Sequence, residues 1–364
     1  MAAAVNQTDA ALRQQPPSRW AACVYTGRDP LLDPQKTQIR PNRSVMVAFQ
    51  RMPKIVIPDD APPVLASSQA WPELRDRPGV AYHDTLPGSE AGLIERIRDA
   101  EVVINIRSSC RFTEAVFTAC PRLRLISIWG TGTDNVDLAA AARHGVRVTN
   151  TPGVSAISIA EHTLALLFAV ARAIPSIDAA TRGGRWERGA FVQLHGKTAG
   201  VIGLGAVGRE FARLARGVGM SVAGWTLHPN PALGIDWLEL DELLAVSDVV
   251  SVHLRLSDIS RGFLGADRIA RMKPGAILLN TARGPIVDEA ALVDALRSGR
   301  LRGAGLDVFD TEPLPAGHPL TALGNVVLSP HCAGITPEAL EAGLRMAVDN
   351  VHRFLEGRPE NVVV

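Results

Sequence analysis

The sequence predicts an α/β protein built on two parallel sheets, and three observations carry that prediction. From Met52 onward, short apolar runs alternate with amphipathic stretches of helical length. The alternation occurs in two series, separated by a long apolar segment over about 158–173. The second series opens on a glycine-spaced turn, "VIGLGAVG", set between an apolar run and an amphipathic helix. Strand and helix in regular alternation build parallel sheets with helices packed on their faces.

The strands of the first series are "KIVI", "GVAYH", "EVVINI", "LRLISI" and "VRVTN", and helices such as "EAGLIERIRDA" and "TEAVFTAC" lie between them. This series ends near "NTPG" at 150–153. The second series reads "TAGVIGLG", "MSVAGW", "DVVSVHL", "GAILLN", "GAGLDVF" and "NVVLSPH". A last helix is expected over 337–356. If it returns to the first unit, that unit is discontinuous: 52–151 with 335–364, around a second unit over 152–334. Residues 1–51 are rich in Gln, Arg and Pro without a period, and are read as a disordered extension. There is no repeat of solenoid length.

Composition narrows the function. The 364 residues are 46% apolar and 21% charged, with a formal net charge of +1. A near-neutral balance argues against a general nucleic-acid or membrane-surface binder. No run approaches the roughly 18 apolar residues of a membrane span, and no signal-peptide pattern opens the chain, so a cytoplasmic protein is expected. The cysteines, Cys23, Cys110, Cys120 and Cys332, show no C-x-x-C spacing. They read as free thiols. Cys332 adjoins His331, but no second ligand cluster with metal spacing accompanies it, so no metal site is expected.

Gly203, Gly205 and Gly208 have G-x-G-x-x-G spacing. The first glycine allows a tight turn, the second lets a pyrophosphate approach the backbone, and the third lets helix and strand pack closely. The free N–H groups at the helix N-terminus then face the phosphates. This predicts a Rossmann-type unit binding NAD or NADP. An acid that would hold the ribose hydroxyls is expected at the end of the next strand, but Thr226 stands there. No Arg or Lys lies between Arg216 and Arg255, and His228 is the nearest group able to carry positive charge. Weak discrimination between the two cofactors follows.

Ligands of open parallel sheets bind beyond the carboxyl ends of the strands. Arg283 follows "AILLNTA", Glu312 follows "GLDVFDT", and His331 follows "VVLSP". An arginine can grip a carboxylate through two parallel hydrogen bonds and polarise the carbonyl beside it. A histidine can give the proton that a developing alkoxide needs, and a carboxylate at its side orients the ring and stabilises its charged form. Each residue alone has a plain structural reading. Three at separate strand ends, after a dinucleotide loop, point to reduction of a 2-oxo acid.

With these residues in view, the sequence resembles the D-isomer-specific 2-hydroxyacid dehydrogenases. The resemblance rests on "WGTGTDNVDL", "VTNTPGVSAISIAEHTLALLFAVAR", "GLGAVGRE", "NTARGPIVDEAALVDAL", "GAGLDVFDTEPL" and "VVLSPHCAG". It runs from about Met52 to Val364. It implies a flavodoxin-like substrate domain beside the Rossmann domain, and a homodimer for which the apolar segment at 158–173 is a candidate interface. Arg283 would bind the substrate carboxylate and carbonyl, and Glu312 would pair with His331. Asp307 would contact the nicotinamide amide, and Ala206 and Val207 would sit over the pyrophosphate. Thr281, Ala282 and Gly334 would line the nicotinamide end. Thr131 and Gly132 would offer backbone N–H groups to the substrate carboxylate, and Arg107 stands where relatives can place a substrate-side arginine. Two departures concern the cofactor: Thr226 replaces the usual acid, and Arg255 stands where proline is usual. The lack of a regulatory domain after the last helix disfavours the long phosphoglycerate dehydrogenase type. The expected substrate is a small 2-oxo acid such as glyoxylate or hydroxypyruvate. The alternatives are formate or phosphite oxidation on the same fold, or a nucleotide-sensing protein without turnover.

Overall fold

A computed structural model describes residues 52–107, 109–189 and 191–364. The expected extension over 1–51, with Cys23, lies outside the described residues. The first sheet contains β1 (Ile55–Ile57), β2 (Val80–Tyr82), β3 (Val102–Asn105), β4 (Leu125–Ile128) and β5 (Arg147–Thr149). All pairings are parallel, in the order β2-β1-β3-β4-β5, which is the flavodoxin-like order. The second sheet contains β6 (Thr198–Ile202), β7 (Ser221–Trp225), β8 (Asp236–Trp237), β9 (Val249–Val252), β10 (Ile277–Asn280), β11 (Gly303–Leu306) and β12 (Val326–Leu328). Its order, β12-β11-β10-β9-β6-β7-β8, is also wholly parallel. Counted from β6, this is the dinucleotide-binding order, with its switch point between β6 and β9.

The central strands read as continuous apolar runs because both faces are covered. In β1, Val56 packs with Leu93, Ile97, Val116 and Phe117 on one side. Ile55 and Ile57 point the other way, onto Leu344, Ala347, Val348 and Val351 of the C-terminal helix Pro337–Leu355. That helix is tied to β4 by Ser127 Oγ, which donates to the Ala347 carbonyl at 2.8 Å. The chain end closes on β5, where Thr149 and Val362 form an antiparallel bridge. The second sheet is covered on one face by Leu243, Ile269, Leu292 and Leu296. On the other it is covered by Ala160, Leu166 and Leu167 of the helix Ala156–Ala171 and by Phe211, Ala212 and Ala215 of the helix Ala206–Gly217.

Two boundaries differ from the sequence expectation. The long apolar helix begins at Ala156 and ends at Ala171, and Ala173 takes a left-handed conformation with φ +50°. A second helix, Ile174–Arg182, leaves at 60°. Pro175 cannot supply the amide that would continue the first helix, so the chain breaks and restarts. The second sheet also carries β8, which the sequence reading passed over. Two residues are too few to show an alternating pattern. No single described helix is long and apolar enough to cross a membrane.

His253 sits at the switch point, where its N–H donates to the Ile202 carbonyl at the end of β6 at 2.8 Å. It follows β9 with its ring against Phe211, centroids 5.4 Å apart, and its Nε2 is 2.8 Å from Ser251 Oγ. Burial pushes its imidazole down to about 3 from an ordinary 6.5. Below pH 6.5 the unfolded chain takes up a proton that the folded chain refuses. The stability that this neutral ring contributes is therefore complete above that value and is lost as the pH falls towards 3. Melting temperatures measured from pH 7 down to about pH 5 should fall more steeply for the native chain than for His253→Asn.

Candidate active site

Each expected site residue leaves the carboxyl edge of a strand. The glycine turn closes β6. Gly203 has φ +92°, and a Cβ there would lie 2.7 Å from the His253 carbonyl oxygen. A Cβ on Gly208 would collide with the Gly203 carbonyl. These two glycines are required by the protein's own packing. Gly205 is different: a Cβ there would meet no protein atom within 4 Å. Its side is the exposed one, shared with Ala206 and leading to half-buried Val207. The helix Ala206–Gly217 starts there with no side chain capping its first turn. An open backbone face and uncapped N–H groups suit the pyrophosphate of a dinucleotide. Thr226 directly follows β7 and is half-buried, while Arg255 and His228 are exposed beyond the same edge.

Asn280 shapes the turn after β10. Its side-chain oxygen accepts from Ala282 N at 3.0 Å and its amide donates to the Arg283 carbonyl at 2.9 Å. Thr281 is buried, its hydroxyl 2.8 Å from that of Thr163. Gly284 then presses against the backbone of Phe309 and Asp310, so closely that a Cβ would overlap it. That approach seats the turn carrying Arg283 beside the loop carrying Glu312. The Arg283 side chain crosses to the first sheet. Its Nε donates to Asp134 Oδ2 at 2.9 Å, and its Nη2 lies against Gly132, where any side chain would collide with it.

Glu312 and His331 form a pair. Glu312 Oε2 is 2.7 Å from His331 Nδ1, and Oε1 accepts from Phe309 N at 3.0 Å. Burial alone would raise the Glu312 carboxyl, but the hydrogen bonds from His331 and Phe309 and the charges of His331 and Arg283 outweigh it, so it lies below its ordinary value. The carboxylate therefore stays ionised at neutral pH and engages Nδ1, and the far ring nitrogen, Nε2, has no partner among the described residues. His331 has φ +51°, which is uncommon outside glycine. Asp307 holds this conformation: its carbonyl accepts from His331 N at 2.8 Å. Its carboxylate, 1% exposed, accepts from Cys332 N at 2.9 Å, Ala333 N at 2.9 Å and Ser329 Oγ at 2.6 Å. Gly334 packs where a Cβ would lie 3.3 Å from Ser155 Cβ.

On the first sheet, Thr131 and Gly132 follow β4. The Thr131 carbonyl accepts from Asn150 Nδ2 at 2.8 Å, and Gly130 N donates to Thr151 Oγ1 at 2.8 Å. Among the described residues, neither the Thr131 nor the Gly132 N–H has an acceptor in the chain. Arg107 is placed differently from these residues. Its guanidinium donates to the Pro62 carbonyl, lies 3.9 Å from buried Asp60, and is 18% exposed. Sequence reasoning missed Asp134, Gly284 and Asn280. The motif letters "TDN" and "NTARG" contained them, but their importance lies in contacts across the cleft and between adjacent loops.

The chain has clear relatives among known proteins. The family model described as "D-isomer specific 2-hydroxyacid dehydrogenase, NAD binding domain" matches residues 164–333. A glyoxylate reductase of Korarchaeum cryptofilum is 36% identical over 293 residues, covering 78% of this chain and 88% of that protein. The chain belongs to the D-isomer-specific 2-hydroxyacid dehydrogenase family. Within the family, a D-3-phosphoglycerate dehydrogenase of Methanocaldococcus jannaschii is 38% identical over 279 residues, which cover 74% of this chain and 53% of that protein. The chain thus spans about half the length of that relative. Among solved structures, an acyclic imino acid reductase in complex with NADPH and D-Arg aligns with a TM-score of 0.79 at 30% identity, over 85% of this chain and 100% of that one. The family's dinucleotide-binding domain, with NAD or NADP as its cofactor, is therefore present.

The contact of Gly284 with the Phe309 backbone gives a direct test. Gly284→Ala should destabilise the fold by about 1–3 kcal/mol through overpacking, measured by urea unfolding. It should also loosen Arg283 from Asp134.

Proposed function

We propose that the protein reduces a small 2-oxo acid to the D-2-hydroxy acid with NADH or NADPH. The observation that carries this reading is the convergence of Arg283 and the Glu312–His331 pair at the carboxyl edges of neighbouring strands, facing two unpaired backbone N–H groups at Thr131 and Gly132. In this reading 52–151 with 335–364 is the substrate domain and 152–334 the cofactor domain. Gly205, Ala206 and Val207 take the pyrophosphate, and Thr281, Ala282, Asp307 and Gly334 surround the nicotinamide. Thr226 neither repels a 2′-phosphate nor grips the ribose hydroxyls, so both cofactors are accepted. The setting is cytoplasmic, and the working form a homodimer. Ile157, Phe168 and Ile174, exposed along the apolar helix and the start of the next, support that last point.

A nicotinamide held by Thr281, Ala282, Asp307 and Gly334 would supply the hydride for the carbonyl carbon. Arg283 holds the substrate carboxylate through its Nη groups while Asp134 fixes Nε, so the guanidinium plane is set before substrate arrives. Thr131 and Gly132 N–H donate to the same carboxylate from the opposite wall. His331 Nε2 gives the proton to the developing alkoxide, and Glu312 on Nδ1 stabilises the charged ring from which it comes. In the reverse direction the same nitrogen takes the hydroxyl proton.

A second reading has one observation in its favour. The structural similarity to an imino acid reductase extends over nearly the whole described chain. A 2-imino acid presents the same carboxylate to Arg283 and needs a proton at nitrogen.

Two experiments test the proposal. A panel of 2-oxo acids, with and without amines and with NADH and NADPH in parallel, should show turnover on at least one acid alone. Turnover only with an amine present would select the imino reading, and tight cofactor binding with no turnover would overturn both. His331→Asn should cut kcat by roughly 100- to 10,000-fold while cofactor affinity stays within about two-fold. Asp134→Ala should raise KM for the acid about ten-fold, the scale of one hydrogen bond to a charged group, and change kcat less.

A further inference from the structure

One cluster of metal-ligating side chains is not used by this mechanism as a unit. His162, on the helix Ala156–Ala171, Asp307 after β11, and Cys332 after β12 place one ligand atom each within 4.8 Å of one another. His162 Nε2 is 3.7 Å from Asp307 Oδ1, and the Cys332 sulfur lies beside the same carboxylate. Ser329 Oγ bridges the group, 2.8 Å from His162 Nε2 and 2.6 Å from Asp307 Oδ1. His162 is 27% exposed and Cys332 half-buried, so the cluster opens to solvent although Asp307 does not.

We propose that His162, Asp307 and Cys332 bind a zinc-class divalent cation, and that occupancy excludes the nicotinamide cofactor. One imidazole nitrogen, one carboxylate oxygen and one thiolate sulfur are the mixed donor set that zinc and cobalt(II) take in tetrahedral sites, with water as fourth ligand. The three come from three separate elements joined to the same sheet, so the site is already assembled and needs only a small contraction. Binding releases the thiol proton to solvent. The cation replaces the Ser329 hydroxyl on Asp307 Oδ1. That oxygen also accepts from Cys332 N, so the ion pulls on the backbone turn that follows His331. The exclusion of cofactor rests on the reading above, in which Asp307 faces the nicotinamide. The metal site itself does not.

The test uses the full chain and two readouts independent of turnover. Cobalt(II) titration should give one equivalent of tetrahedral d–d absorption with a thiolate-to-metal charge-transfer band. That band should vanish in Cys332→Ala. Loss of an outer partner of a metal ligand typically costs 10–100-fold in affinity, so loss of a ligand itself, in His162→Gln, should weaken binding at least about ten-fold. Absence of the band, or its survival in Cys332→Ala, overturns the metal site. Saturating zinc should weaken cofactor binding, followed by NADH fluorescence, by at least about ten-fold, and the cofactor should weaken zinc binding by the same factor. Zinc bound at the assigned residues with unchanged cofactor affinity overturns the exclusion. Failure of the 2-oxo acid panel bears on the proposed reaction alone, because neither readout requires turnover.

Discussion

A carboxylate that is 1% exposed must be matched almost completely by donors, because a buried polar group without partners costs several kcal/mol or more. Asp307 meets that condition with two backbone amides and a hydroxyl, all from the segment 329–333. The requirement runs in both directions. The segment satisfies the carboxylate, and the carboxylate gives the segment its shape. His331 takes a left-handed backbone conformation because Ser329 and Cys332 are fixed to Asp307 and its own N–H reaches the Asp307 carbonyl. Its ring is then turned to Glu312, which is fixed in turn by the Phe309 amide. One buried acid at the end of β11 thus sets the histidine of the site, and the Phe309 amide sets its carboxylate partner.

The third group is set by a steric constraint. Gly284 has no side chain, and the Phe309–Asp310 backbone occupies the space one would need. The turn after β10 therefore lies directly on the loop after β11, with Arg283 and Glu312 close enough for the arginine charge to act on the carboxyl. From there Arg283 reaches Asp134 and Gly132 on the first sheet. A single guanidinium is in contact with both sheets.

Much of this was legible in the sequence, for physical reasons. Parallel strands buried on both faces leave long apolar runs, so β1, β3, β4, β6, β9 and β10 announce themselves. Charged residues directly after such runs lie at carboxyl edges by geometry, which is why the sequence alone groups Arg283, Glu312 and His331. Gly203 and Gly208 were legible because each close approach they permit is local in sequence or typical of a strand–turn–helix unit. What stayed hidden was relational. β8 is too short for a period. The helix break at Ala173 needed Pro175 to be read as a stop rather than tolerated as a first-turn residue. Asp134, exposed and surrounded by other polar letters, has no periodicity to mark it, and only its contact with Arg283 gives it a meaning.

The cluster of His162, Asp307 and Cys332 leaves no spacing signature in the sequence. Sequence motifs for metals work when one loop or helix carries several ligands. Here one helix and the ends of two adjacent strands each contribute a single donor, and the parallel sheet does the gathering. A fold that collects catalytic groups at its strand ends collects other polar side chains there as well. His162, Cys332 and Ser329 are drawn to Asp307 because a buried carboxylate attracts every donor within reach. The gathering that anchors the His331 turn also suits a cation, because the Ser329 hydroxyl can rotate away from Asp307 Oδ1 while an ion engages the imidazole and the thiolate at once.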